Sequence, residues 1–155
     1  MLSSFRGAPG GFTLLELVLA LAILGFLLAL VVPPLGRSER RWAAYAAART
    51  LAADVARARR MAIQDRRTVR VVLDTVRGAY DVRPDGGEAV TRRKLRDDLA
   101  LGTTAYLGEI LFSARGTSNL YSTAWIVARG DPLAREHRIR VLPTGAIELP
   151  GRGLP

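Results

Sequence analysis

Gly10-Gly11-Phe12-Thr13-Leu14-Leu15-Glu16, followed directly by LVLALAILGFLLALVVP from Leu17 to Pro33, is the stretch on which the reading of this chain turns. From Leu17 to Gly36 no side chain carries a formal charge, which is long enough to span a bilayer. A short leader, MLSSFRGAPGG, precedes it with Arg6 as its one charged side chain. Such a segment has to be sorted before any fold argument. Three readings compete: a cleaved secretory signal, a plain transmembrane anchor, and a signal cut ahead of the apolar run. A secretory signal fits worst, because its apolar region is shorter and ends at small residues, whereas this one ends LALVVPPLG.

Glu16 has a physical argument of its own. A carboxylate beside a hydrocarbon-spanning run costs about 2.5 kcal/mol or more at the bilayer centre, so it demands a partner or a headgroup. Phe12 and Glu16, four residues apart, share one helix face, so a cation at position 12 would be placed to serve as the partner.

The boundary residues from Gly11 to about Pro33 resemble the type IV prepilin signal. The resemblance implies that a prepilin peptidase cuts between Gly11 and Phe12 and that Phe12 is N-methylated. It implies that Glu16 pairs with the amine of a neighbouring subunit and sets the register of a filament, and that a proline such as Pro33 belongs in the N-terminal helix. The leader would then lie in the cytoplasm, although Arg37, Arg40 and Arg41 beyond the span outnumber Arg6 before it and argue by charge for the reverse orientation.

After the span, Pro33-Pro34 removes two backbone donors and is expected to bend or interrupt the helix. Helical composition resumes from Ser38, a candidate cap, to about Asp65. Ala44, Ala48, Leu51, Val55, Ala58 and Ala62 recur at spacings of four and three and form one seam, with Arg49, Arg57 and Arg60 turned away. Trp42 and Tyr45, beside Arg40 and Arg41, suit a membrane interface.

Beyond Asp65 the period becomes two. Candidate strands run over 69–73, 79–83, 89–95, 99–105, 109–113, 123–128, 136–142 and 146–149, separated by turns such as Pro84-Asp85-Gly86-Gly87. Short strands at regular spacing predict an antiparallel head. ILFSARG at 110–116, AWIVARG at 124–130 and HRIRVLPTGAIEL at 137–149 extend the resemblance to the GspH/FimT branch of minor pilins and type II secretion pseudopilins. The fold so implied is α+β: a long N-terminal helix, membrane-spanning in its first half, packed on two small antiparallel sheets. The expected organisation is a leader at 1–11, an assembly helix at 12–36 and a head at 37–155, with helix over 38–65 and strands over 68–149.

Chemistry is thin. The chain has no cysteine and one histidine, which removes a disulfide framework, thiolate zinc and a cysteine nucleophile. No phosphate loop, GxSxG elbow or HExxH occurs. His137 alternates with Ile139 and Val141 and reads as a core residue; Asp97-Asp98 reads as a solvated turn, and Arg129-Gly130-Asp131 before Pro132 as a loop. No enzyme activity, cofactor or metal is expected.

Charge points to an acidic partner. The net charge is +9 over 155 residues, and of 23 basic residues only Lys94 is a lysine. Arg92, Arg93, Lys94 and Arg96 lie together, and Arg135, Arg138, Arg140 and Arg152 lie toward the end. DNA phosphates are one acidic partner, and some minor pilins of the FimT branch bind DNA for uptake through an arginine-bearing C-terminal region. Arg92, Arg93, Arg138, Arg140 and Arg152 are the candidates here, against a surface that is merely arginine-rich. The resemblance implies as partners other pilin or pseudopilin subunits, prepilin peptidase, an inner-membrane assembly platform and membrane lipid. Type IV pilus, type II secretion and competence machinery all stay open, as does a simple anchored periplasmic binding domain.

Overall fold

The computed structural model describes residues 12–149, and within that range the side chains of 29–37 lie outside the description. The leader with Gly11, and Arg152 in the tail, are therefore outside it too. The first element, α1, is assigned over Leu14–Gln64. Its assignment continues through Pro33 and Pro34, so the expected interruption is absent, and Ser38 is an interior helical residue instead of a cap. The bend expected at Pro33 and Pro34 falls among residues 29–37. Residues up to Gly36 and from Arg37 onward form two compact units, taken here in turn.

In the first unit the helix opens on a cap. Thr13 Oγ1 accepts the backbone N–H of Glu16 at 3.2 Å, satisfying one of the donors that a helix start leaves orphaned. Glu16 lies in the first turn, where the positive end of the helix dipole favours a carboxylate. Every described side chain from Phe12 to Leu28 is exposed, on all sides of the helix.

In the second unit eight strands follow the helix: β1 Val69–Asp74, β2 Ala79–Pro84, β3 Thr91–Lys94, β4 Leu99–Thr103, β5 Glu109–Phe112, β6 Ser122–Ala128, β7 His137–Val141 and β8 Ile147–Glu148. They form two four-stranded antiparallel sheets, ordered β3-β2-β1-β5 and β4-β6-β7-β8. The chain leaves the first sheet after β3 and returns for β5 through a 3-10 turn at Tyr106–Gly108. Asp74 closes the β1–β2 hairpin by accepting the N–H groups of Val76 and Arg77 at 3.1 and 2.9 Å, an Asx turn.

The core lies among these layers. Ala44, Ala48, Leu51, Val55, Ala58 and Ala62 are all buried, as their spacing predicts, and they meet Val69, Val71 and Leu73 of β1, Ile110 and Phe112 of β5, Ile126 of β6, and Ile139 and Val141 of β7. Alanine along the seam lets sheet backbones come close, while β-branched and aromatic side chains from the strands fill the volume. Strand by strand, burial alternates with the pleat, so register and core are one pattern. The outer face of the second sheet has its own close approach: a side chain at Gly102 would meet the Trp125 indole at 2.3 Å.

Candidate functional site

The residues that carry chemistry fall in four places. At the N-terminal segment, Phe12 is exposed at the head of the helix, and Glu16 has no ion pair among the described residues. Gly11 is outside them. Thr13-Leu14-Leu15-Glu16 matches a capping box, and its backbone half is formed. Sequence reasoning that looked only for a charge partner missed this second reason for a threonine and a glutamate at that spacing.

The second place is the turn of α1 at Glu39–Trp42, within the second unit. Arg41 Nε donates to Asp131 Oδ2 at 2.8 Å, and the Asp131 side chain is only 5% exposed. Asp131 also accepts the N–H of Leu133 at 3.0 Å, so the carboxylate of Arg129-Gly130-Asp131 is built into the loop it begins. Arg96 donates to Glu39 at 3.2 Å and clasps Asp98 at 3.1 Å. Of the aromatic pair read as interfacial, Trp42 is exposed. Tyr45 instead packs edge-on against His137, with ring centroids 5.5 Å apart, and carries Arg49 over its face. His137 is accordingly half-buried at the start of β7 instead of in the core, and burial pushes its imidazole below the ordinary 6.5.

The third place is a buried polar knot. Asp54 sits in the helix between Leu51 and Val55, nearly buried, and its Oδ2 accepts both Tyr80 Oη and Arg93 Nε at 2.8 Å. Burial first, and the Asp54 carboxylate second, hold the Tyr80 hydroxyl well above the ordinary tyrosine range. The fourth is Arg59, whose guanidinium donates to the carbonyls of Gly116 and Thr144 at 2.9 and 3.4 Å and ties two turns to the helix. Those turns touch closely enough that a side chain at Gly145, already at φ +78°, would collide with the Gly116 carbonyl. Neither Asp54 nor Arg59 was marked by sequence reading.

The basic candidates are dispersed by this geometry. β3 alternation sends Arg93 inward to Asp54 and leaves Arg92 and Lys94 outward. Arg138 is held by Glu136 at 2.7 Å, while Arg140 on the same strand is exposed with no ion pair among the described residues. Arg92 is likewise exposed and unpaired among them. Arg92 and Arg140 belong to different sheets.

Among the described residues no helix is long and apolar enough to cross a membrane. The described apolar side chains stop at Leu28, whereas the uncharged run in the sequence continues to Gly36. Comparison with known proteins gives two family matches: the type II transport protein GspH over residues 47–145, and the prokaryotic N-terminal methylation motif over residues 8–32. No curated protein matches the chain. Among solved structures, the type IV minor pilin FimU of Pseudomonas aeruginosa is similar at 19% identity with a TM-score of 0.61, covering 77% of this chain and 93% of that one. The minor pseudopilin EpsH of the type 2 secretion system of Vibrio cholerae is similar at 15% identity with a TM-score of 0.62, covering 72% and 98%. These likenesses share the helix packed on antiparallel sheets. With the family match spanning more than half its length, the chain belongs to the GspH family of pilin-like and pseudopilin subunits and carries an N-terminal methylation motif.

Proposed function

We propose that the protein is a structural minor pilin or pseudopilin subunit with no catalytic task, anchored in the cytoplasmic membrane with its leader inside and its head outside, and then drawn into a short filament. Prepilin peptidase removes residues 1–11, and Phe12 becomes a methylated N-terminus. Residues 12–36 serve first as anchor and then as the filament's inner helix, and 37–155 form the head.

The observation that supports this most is the exposed apolar helix under the methylation motif. From Phe12 to Leu28 the described side chains are exposed all round, and Glu16 interrupts them without an ion pair among the described residues. A helix apolar on every side needs lipid or other helices around it. Moving from lipid into a bundle of like helices keeps that surface covered, and an N-terminal ammonium beside Glu16 offsets the cost of its carboxylate in an apolar setting. Methylation keeps the ammonium charged. The energy for extraction comes from an inner-membrane assembly platform, and the direct partners are other pilin or pseudopilin subunits.

Mass spectrometry of the protein purified from membranes tests the processing step, with a methylated Phe12 as the expected terminus. An intact Met1 in cells with active prepilin peptidase would remove the reading. Glu16→Ala should be cleaved and should fold normally, yet fail to enter filaments; wild-type assembly by that variant would refute the register role.

A DNA-uptake role on the same scaffold draws on the unpaired Arg92 and Arg140. Its signature would be weak, sequence-independent binding whose log K falls with log salt at a slope of about −0.9 for each phosphate neutralised.

A further inference from the structure

Residues Glu39–Trp42 fill about one turn of α1, and two loops of the head close on that turn. The loop before β4 reaches it through Arg96, bonded to Glu39, and the loop after β6 reaches it through Asp131, bonded to Arg41. The loops are also joined to each other, since the Arg129 N–H donates to the Asp98 carbonyl at 2.8 Å. These bonds gather one level of the head into a single layer.

The composition of its outer surface follows from which charges are used inside it. Asp131 is taken by Arg41, and Glu39 and Asp98 are taken by Arg96. Left facing outward are Arg40 and Arg129, exposed and without an ion pair among the described residues. Two large apolar side chains of the same turn and loop are exposed as well, Trp42 at 70% and Leu133 at 74%. Leu133 is held out by its loop, because its own N–H is tied back to Asp131.

We propose that this layer is a lipid collar, which binds anionic headgroups of the membrane surface while the subunit waits in the bilayer. Arg40 and Arg129 meet lipid phosphates, and Trp42 and Leu133 enter the boundary between headgroups and acyl chains. Trp prefers that boundary because one edge of its ring system is polar and the rest apolar, and arginine reaches phosphate while its stem lies on apolar surface. Against the three acids Glu39, Asp98 and Asp131 stand four arginines, Arg40, Arg41, Arg96 and Arg129, so these groups together keep one positive charge toward an anionic surface. Arg40 and Trp42 lie within one helical turn of about 5.4 Å, and Arg129 and Leu133 are each two residues along the chain from Asp131, which is bonded to that turn. In the sequence, Trp42 follows the end of the uncharged run at Gly36 by six residues. The inference rests on the anchored state proposed above.

The test uses the full chain with Trp125→Phe, which leaves Trp42 as its only tryptophan. It is reconstituted in phosphatidylcholine vesicles with or without phosphatidylglycerol, carrying brominated acyl chains labelled near the headgroup or near the bilayer centre. The difference between wild type and Trp42→Phe supplies the same reading should Trp125→Phe disturb the head. Trp42 emission should shift to the blue and be quenched by the shallow bromines more than by the deep ones. Phosphatidylglycerol should strengthen the quenching, and Arg40→Gln with Arg129→Gln should abolish that increment. A chain that floats with the vesicles while Trp42 keeps its water-exposed, unquenched emission overturns the collar and leaves the anchor intact. A chain that does not float with them overturns the anchor and the collar together. Burial of Trp42 that is blind to bromine and grows with protein density assigns the face to a second copy of the chain and also overturns the proposal.

Discussion

Replacing Asp54 tests whether a buried carboxylate acts as the joint between α1 and the first sheet. Asp54 is 7% exposed and Tyr80 4%, and the 2.8 Å bond between them is the one described bond of the Tyr80 hydroxyl. Asp54→Ala removes a charge-assisted bond of about 1.5–3 kcal/mol and leaves the buried tyrosine hydroxyl without its acceptor. A loss of about 3 kcal/mol is expected, which for a head of this size lowers the melting temperature by roughly 10 °C. Tyr80→Phe removes the bond but orphans no donor, so about 2 kcal/mol is expected. Arg93→Gln should cost least of the three, since the arginine side chain is 52% exposed and water screens its attraction. Urea unfolding of the full chain in detergent, on a Trp42→Phe background, followed by circular dichroism and by Trp125 emission, gives all three values, and the Asp54/Tyr80 double variant gives their coupling. The same pair sets an alkaline limit. Tyr80 has a folded pKa raised above the ordinary 10, so its contribution is whole below pH 10 and drains away as pH climbs above it. Tyr80→Phe should flatten that decline. The reasoning is refuted by a loss below about 1 kcal/mol for Asp54→Ala, or by Arg93→Gln costing more than Tyr80→Phe.

Arg59→Met keeps the aliphatic stem but frees the Gly116 and Thr144 carbonyls, and about 2 kcal/mol of stability should go with them; hydrogen exchange should speed up first at 113–118 and 142–146, and uniform acceleration would contradict the clasp. His137 has a folded pKa below 6.5, so its share of stability is present above pH 6.5 and lost as pH falls through the folded value. Nuclear magnetic resonance should place its midpoint under 6.5, and Tyr45→Ala, by opening the site to water, should move that midpoint upward. An unmoved midpoint in Tyr45→Ala would mean that the ring is not what desolvates the imidazole.

Much of the architecture was legible because burial writes itself into spacing. The six-residue seam on α1 and the presence of eight strands follow from periods of 3.6 and 2, and each of those strands is found within a few residues of its expected bounds, though their order in the sheets does not follow. What stayed hidden depends on partners far along the chain. Asp54 sits where a helical wheel grades from apolar to polar, and its partners are 26 and 39 residues away. Nothing local distinguishes it from a solvated aspartate. Arg59 lies beside the equally basic Arg57 and Arg60, and only the arrival of two distant turns makes it a donor to carbonyls. The Tyr106–Gly108 turn carries Leu107 at φ 54°, a conformation that leucine does not advertise.

Charge was the least faithful guide, and the reason is visible at the scale of two residues. Arg83 pairs with Asp81, Arg67 with Asp65, Arg96 with Asp98 and Arg138 with Glu136, each separated by a single residue. Only Asp81 and Arg83 lie within a strand, where residues two apart share a face; the others sit at a helix end, in a turn and at a strand start, and a count of arginines shows none of them. Arg93 and Arg41 stay about half exposed, but longer reaches to Asp54 and Asp131 match their charge. The surplus that a partner meets is scattered: Arg92 on an edge strand, Arg140 on the outer face of the other sheet, Arg57 and Arg60 on the helix, Arg66 and Arg115 in turns, and Arg40 and Arg129 on the collar, all exposed without an ion pair among the described residues. Binding a DNA backbone requires several cations spaced along one track, because affinity accumulates phosphate by phosphate. Lipid headgroups impose no such track, since each lipid moves to meet its own arginine. Arg40 and Arg129, set apart but in one layer with Trp42 and Leu133, suit the second kind of partner better than the first.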